Sequence, residues 1–193
     1  MTSNTDLELL LKNLKITNFQ GCYFKDELNE LKPNSSYIIN LQSEYDKNLN
    51  RNGGTHWCAL VTDNRKNAIY FDSFGSPPPT SIIKLLKKYK YKYGYTNKVI
   101  QNIRSDLCGY FAVAFIYFLT KHPSRTTNIN KNTNIFINVF EDLNKVQSVK
   151  NEYILALFFK KRNKTILFNK NNTISRDNHL DNDFKIENSV LTI

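Results

Sequence analysis

The stretch from Leu107 to Leu119 constrains this chain more than any other, because it holds no charged residue, no proline and a single glycine, and follows the polar segment Gln101–Asp106. A run of that length without a polar face suits a helix buried on all sides, so the fold has to be built around it. It opens on Cys108-Gly109. A cysteine in the first turn of a helix sits where unpaired backbone N–H groups and the macrodipole both favour negative charge, the setting of a nucleophilic thiolate. Taken alone, Cys108 reads equally as one more small core residue.

The other residues bear on that choice. The chain has 193 residues, 40% hydrophobic and 13% aromatic, enough apolar material for one domain with its own core. The three cysteines, at 22, 58 and 108, form neither a disulfide framework nor a zinc-ligand spacing, which points to a reducing compartment and to no metal. No apolar run approaches the roughly 18 residues that span a bilayer, and no basic-then-apolar leader opens the sequence, so a soluble, non-secreted protein without a membrane partner is expected. A formal charge of +10 would attract polyanions, although a lysine excess is also the composition of a solvated surface.

Taken in order, Leu7, Leu10, Leu11 and Leu14 recur at helical spacing behind a cap at Thr5 or Asp6. Residues 19–28 read as a loop with a helical turn, 36–41 as a strand and 42–54 as a polar loop. Trp57–Thr62 and Ala68–Asp72 should pair as an antiparallel hairpin. After Ser73–Pro79, Thr80 or Ser81 caps a helix carrying Ile82, Ile83 and Leu86, and 98–101 reads as a short strand. His122-Pro123 stops the central helix, an exposed loop runs to Asn134, and 147–162 reads as a last packing helix.

A thiolate nucleophile needs a partner that takes its proton and returns one to the leaving amine, and imidazole suits this near neutral pH. Of the three histidines, His122 lies past the central helix and His179 in the polar end of the chain, whereas His56 follows Gly53-Gly54-Thr55 and immediately precedes a strand. Asp72 ends the paired strand, in place to fix the imidazole tautomer. Gln101 and the backbone N–H of Cys108 are the available donors for an oxyanion. Each residue alone is weak; together they supply nucleophile, base, orienting acid and oxyanion donor.

The motifs Gly54-Thr55-His56-Trp57, Asp72-Ser73-Phe74-Gly75, and Gln101 followed by six residues and Cys108-Gly109 resemble the adenain family of viral cysteine proteases, over about Leu7 to Arg162. Phe19–Leu28 further resembles the adenain-like maturation proteases of virophages and polinton-type elements. Adenain carries Glu where this chain has Asp72, and either carboxylate can orient an imidazole. Ubiquitin-like-protein proteases share the His-Trp, Asp-Ser and Gln…Cys-Gly signatures, but usually place the acid directly before the cysteine, whereas here Leu107 separates Asp106 from Cys108.

The resemblance implies an α+β fold, a mainly antiparallel central sheet packed on the core helix that carries Cys108. It implies one protease domain over 1–162 and a loosely attached polar tail over 163–193. Cys108 would be the nucleophile, His56 the base, Asp72 its orienting partner, Gln101 with the Cys108 N–H the oxyanion donors, and Trp57 a shield beside His56. It implies no required cofactor. DNA or a non-covalently bound peptide are the candidate activators, since Gly75–Gln101 lacks the cysteine through which adenain's activating peptide forms a disulfide. Lys84, Lys87, Lys88, Lys90, Lys92 and Lys98 are candidate contacts to double-stranded DNA phosphates, with a second cluster at Lys160, Lys161, Arg162 and Lys164. The substrates implied are viral capsid and structural proteins, cut by a monomer in the virion and the host-cell virus factory or cytoplasm. Two further readings stand beside this one: an isopeptidase that removes ubiquitin or a related modifier, and a catalytically idle basic protein that binds nucleic acid.

Overall fold

Alternation along the central strands sends side chains into two separate cores, and both are covered. In β3 (Trp57–Thr62), Trp57, Ala59 and Val61 join one apolar cluster while Cys58 and Leu60 join the other, so every residue of the strand is buried. The computed structural model describes residues 2–43, 56–121 and 128–160. β1 (Phe19–Phe24), β2 (Ser36–Asn40), β3, β4 (Asn67–Phe71) and β5 (Lys92–Tyr95) form one sheet in that order. The expected hairpin is present, with Ala59 opposite Phe71 and Thr62 opposite Ala68. The centre is antiparallel, but both edges are parallel: β1 pairs with β2 and β5 with β4. The β4–β5 crossover is long enough for this because it contains a helix, α2 (Thr80–Lys88).

The apolar run folds as expected into α3 (Cys108–Lys121), packed on β3 and flanked by α1 (Asn4–Asn13), α4 (Ile129–Asn138) and α5 (Lys150–Lys160). Phe71 of β4 stacks on Phe115 of α3 with ring centroids 4.6 Å apart, and Phe136 of α4 meets both rings edge-on. Such aromatic contacts add to burial and hold the helix against the sheet. α2 closes the opposite face through Ile82, Leu85 and Leu86.

Several local expectations need correction. α1 is capped two to three residues earlier than Thr5 or Asp6, at Ser3: Ser3 Oγ accepts from Asp6 N, and Asp6 Oδ2 accepts from Ser3 N. Residues 19–24 are an edge strand instead of a loop, with Gly21 at φ 139° where it bends. Thr80 is the first helical residue of α2 behind Pro79, and Ser81 Oγ donates to the Lys25 carbonyl, so neither caps the helix. Residues 98–101 make no strand; the N–H groups of Ile100 and Gln101 both donate to Ser73 O. The stretch expected as a loop to Asn134 contains the start of α4, where the Asn128 side chain accepts from the N–H groups of Asn130 and Lys131. The glycines before His56, His122-Pro123, and the tail 163–193 with His179 and Lys164 fall outside the described residues, as do Lys161 and Arg162. Among the described residues no helix is long and apolar enough to cross a membrane, and the three cysteines are free thiols.

Candidate active site

His56 stands just before β3 and Asp72 just after β4, so the hairpin register brings them together at one end of the sheet. His56 Nε2–H donates to Asp72 Oδ1 at 2.8 Å, with side-chain exposures of 13% and 1%. Oδ1 also accepts from Phe74 N at 2.8 Å, and the Phe74 ring stacks on the imidazole at 4.8 Å. The turn that makes this possible needs a glycine. Gly75 has φ 71° and donates its N–H to Asp72 O, and a Cβ there would come within 2.8 Å of the Asn97 backbone.

Cys108 is the first residue of α3 and 9% exposed. Gly109 follows because α1 lies directly on the helix start: a Cβ on it would meet Leu7 Cδ2 at 2.9 Å. Burial disfavours the His56 imidazolium, but the Asp72 carboxylate and hydrogen-bonding contact with the sulfurs of Cys108 and Cys58 outweigh it and push the His56 pKa up to about 12. Asp72 holds Nε2, which leaves Nδ1 as the ring atom for exchanging a proton with a thiol.

Gln101 is 1% exposed and fixed at both ends of its amide. Ser73 Oγ donates to its Oε1 at 2.6 Å, and its Nε2 donates to Ser105 O at 2.6 Å. An amide nitrogen carries two N–H groups, so one remains for an oxyanion. The segment is clamped from behind by Asn151 of α5, whose Nδ2 donates to Ile100 O at 2.9 Å and to Glu141 O at 2.8 Å.

The structure brings together His56, Asp72, Cys108 and the Gln101 segment. Trp57 is buried in the same cluster as Cys108, and its indole N–H donates to Thr2 O at 3.1 Å, which ties the start of α1 to the residue after His56. Four neighbours are given no role by the sequence: Ser73 and Phe74, which appear in it only as part of a motif, Asn151, and Cys58. For Cys58 the signal was available, since residues 56 and 58 alternate to the same side. Of the lysines, Lys84, Lys87, Lys88, Lys90 and Lys92 are exposed on α2 and around β5. Lys98 is not a free cation: its Nζ donates to the carbonyls of Ile137 and Phe140 at the end of α4, and it is removed from the candidate phosphate contacts.

A model of the Ulp1 protease family, C-terminal catalytic domain, matches residues 48–149, a span that holds His56, Asp72, Gln101 and Cys108. The chain belongs to this family. That family's domain is the catalytic domain of cysteine proteases, and the α+β architecture described above is in keeping with it. Comparison with curated proteins gives no match. Among solved structures, the crystal structure of ASFV pS273R protease is similar at 19% identity and a TM-score of 0.42, over 67% of this chain and 63% of that one. The selenomethionine form of the same protease is similar at 16% identity and a TM-score of 0.42, over 73% and 68%. The Ulp1-family chain thus spans less than two thirds of the first of these.

Proposed function

We propose that this Ulp1-family protease is an endopeptidase of the adenain type that processes viral capsid and structural proteins during particle maturation, with Cys108 as nucleophile. The observation that carries the chemistry is the His56 imidazole held by Asp72 at 2.8 Å, with Cys108 at the first turn of α3 among the groups that raise its pKa. Cys108 attacks the scissile carbonyl as a thiolate beside the His56 imidazolium, at the N-terminus of α3 where the dipole supports the negative charge. His56 then protonates the leaving amine, and water hydrolyses the acyl-enzyme. Gln101 Nε2–H and the Cys108 N–H receive the oxyanion. Every group in this sequence is a side chain or backbone amide of the chain itself, so the reaction requires no cofactor.

The spacing of Gln101 to Cys108, the placing of Leu107 between Asp106 and Cys108, and the Phe19–Leu28 block favour the adenain and virophage-type reading. The family match favours the second reading, removal of a ubiquitin-like modifier from host conjugates. The two share their chemistry and differ in the surface that meets the substrate. Incubation with purified capsid proteins beside a panel of ubiquitin and ubiquitin-like fusions separates them. Cleavage of capsid proteins, with the new ends mapped by mass spectrometry beside small residues and abolished by Cys108→Ala, is expected. Cleavage of the fusions alone would assign the second reading. We place the enzyme as a monomer in the virion and the virus factory, with DNA as an activating surface.

A further inference from the structure

Cys58 is a fully buried thiol for which proteolysis supplies no task. It lies beneath the catalytic pair: one ring nitrogen of His56, Cys58 Sγ and one carboxylate oxygen of Asp72 all lie within 4.8 Å of one another, the one group of its kind among the described residues. A second observation points to a missing ligand. Asp72 Oδ2 is buried and has no hydrogen-bond partner, although Oδ1 of the same carboxylate has two. A buried carboxylate oxygen left unpaired costs free energy unless something occupies its lone pairs.

We propose that His56, Cys58 and Asp72 form a binding site for a thiophilic divalent cation of the zinc class, and that its occupation switches the protease off reversibly. Nitrogen, sulfur and carboxylate oxygen make a donor set that zinc favours, and a fourth position would be left for water. Ligands about 2.0–2.3 Å from a tetrahedral ion stand roughly 3.3–3.8 Å from each other, between the 2.8 Å of the present His56–Asp72 bond and the 4.8 Å bound on the group. The ion takes the place of the proton between Nε2 and Asp72 and draws in Cys58 Sγ; the Nε2 proton and the thiol proton leave to solvent. With Nε2 bound to metal, the ring is a neutral imidazole that could protonate the leaving amine from Nδ1 only by becoming an imidazolate, so the thiolate–imidazolium pair is lost, and Asp72 no longer orients the ring. The partly exposed His56 edge is the entry path. The linear spacing of the cysteines hides this site, because it is assembled across the hairpin by β3 and β4.

The site rests on donor geometry and not on the proposed substrate, so its first test needs no activity. Cobalt(II) is titrated into Cys108→Ala. A saturable thiolate-to-cobalt charge-transfer band is expected; it should vanish in Cys108→Ala/Cys58→Ala, which keeps Cys22, and bind at least about tenfold more weakly in Cys108→Ala/Asp72→Asn. No band in Cys108→Ala, or a band that persists without Cys58, overturns the proposal. The second test follows hydrolysis of a model peptide by the otherwise wild-type enzyme. Zinc should inhibit it, a chelator should restore it, and Cys58→Ser should raise the inhibitory concentration at least about tenfold. Equal inhibition of both proteins would place the ion on Cys108 and overturn the switch. Thermal melts of each variant distinguish loss of the site from loss of the fold.

Discussion

At the scale of single residues, Asp72 sets the charge on His56. Its carboxylate is the leading cause that lifts the imidazole above its ordinary pKa of 6.5 against the opposing effect of burial. In Asp72→Asn that support is gone and burial acts with less opposition, so the His56 pKa falls. The thiolate–imidazolium pair then loses its proton at lower pH, and the alkaline limb of the kcat/KM profile should move toward neutrality, with activity at pH 7 reduced about tenfold or more. Asp106, exposed and one residue removed from Cys108, should tolerate the same change with a near-normal profile. A displaced limb in Asp106→Asn instead would assign the third member to the wrong carboxylate. Gln101→Ala is a separate case. It removes a donor that acts on charge developed in the transition state, so kcat should fall by roughly 10²-fold with KM little changed. A change confined to KM would remove Gln101 from the oxyanion role.

At the scale of elements, the segment carrying Gln101 is held by packing from a distant part of the chain. Asn151 is fully buried; its Oδ1 accepts from Glu141 N at 2.8 Å while its Nδ2 reaches Ile100 O and Glu141 O. Asn151→Ala strands buried backbone groups and should cost about 2–5 kcal/mol in denaturant unfolding. Because Ile100 adjoins Gln101, kcat should fall along with stability. Asn151→Asp keeps the bond to Glu141 N but sets a carboxylate oxygen against the two carbonyls, and should be at least as damaging. Full stability in Asn151→Ala would show that the clamp is dispensable. This clamp was invisible in the sequence, since nothing local to Asn151 marks a partner some fifty residues away. Residues 98–101 read as a strand for the same reason: their pattern is extended, but the N–H groups of Ile100 and Gln101 both go to Ser73 O. What was legible is what local chemistry dictates. The uncharged run of α3, the alternation of β3 and β4 and the polar turn between them show themselves over a few residues, and with them the joining of His56 to Asp72. The edge strand β1 was missed because its burial is intermediate throughout, so no alternation announced it.

At the scale of the whole molecule, one described surface gathers a row of exposed lysines. α2 exposes Lys84, Lys87 and Lys88, and Lys90 and Lys92 continue the row into β5, while the described part of α2 carries no acidic residue in its first turn to offset them. With Lys98 committed to α4, five cations remain on this surface. Exposed lysines that each neutralise one phosphate release condensed counterions, so affinity for duplex DNA should fall linearly on a log–log plot against salt with a slope of up to about 4.5, at roughly 0.9 per contact. It should be indifferent to base sequence, because no base edge is read. Changing Lys84, Lys87 and Lys88 to Glu should lower the slope by about 3 and leave the melting temperature nearly unchanged, since these side chains lie outside both cores. Lys98→Glu should behave in the opposite way, lowering stability through the carbonyls of Ile137 and Phe140 that Lys98 now caps. The measurement is fluorescence anisotropy with a labelled duplex across a salt series for the wild type and both variants. An affinity absent at low salt, or a slope unmoved by the three substitutions, would make the row a solvated surface and would leave the protease to find its substrates without DNA.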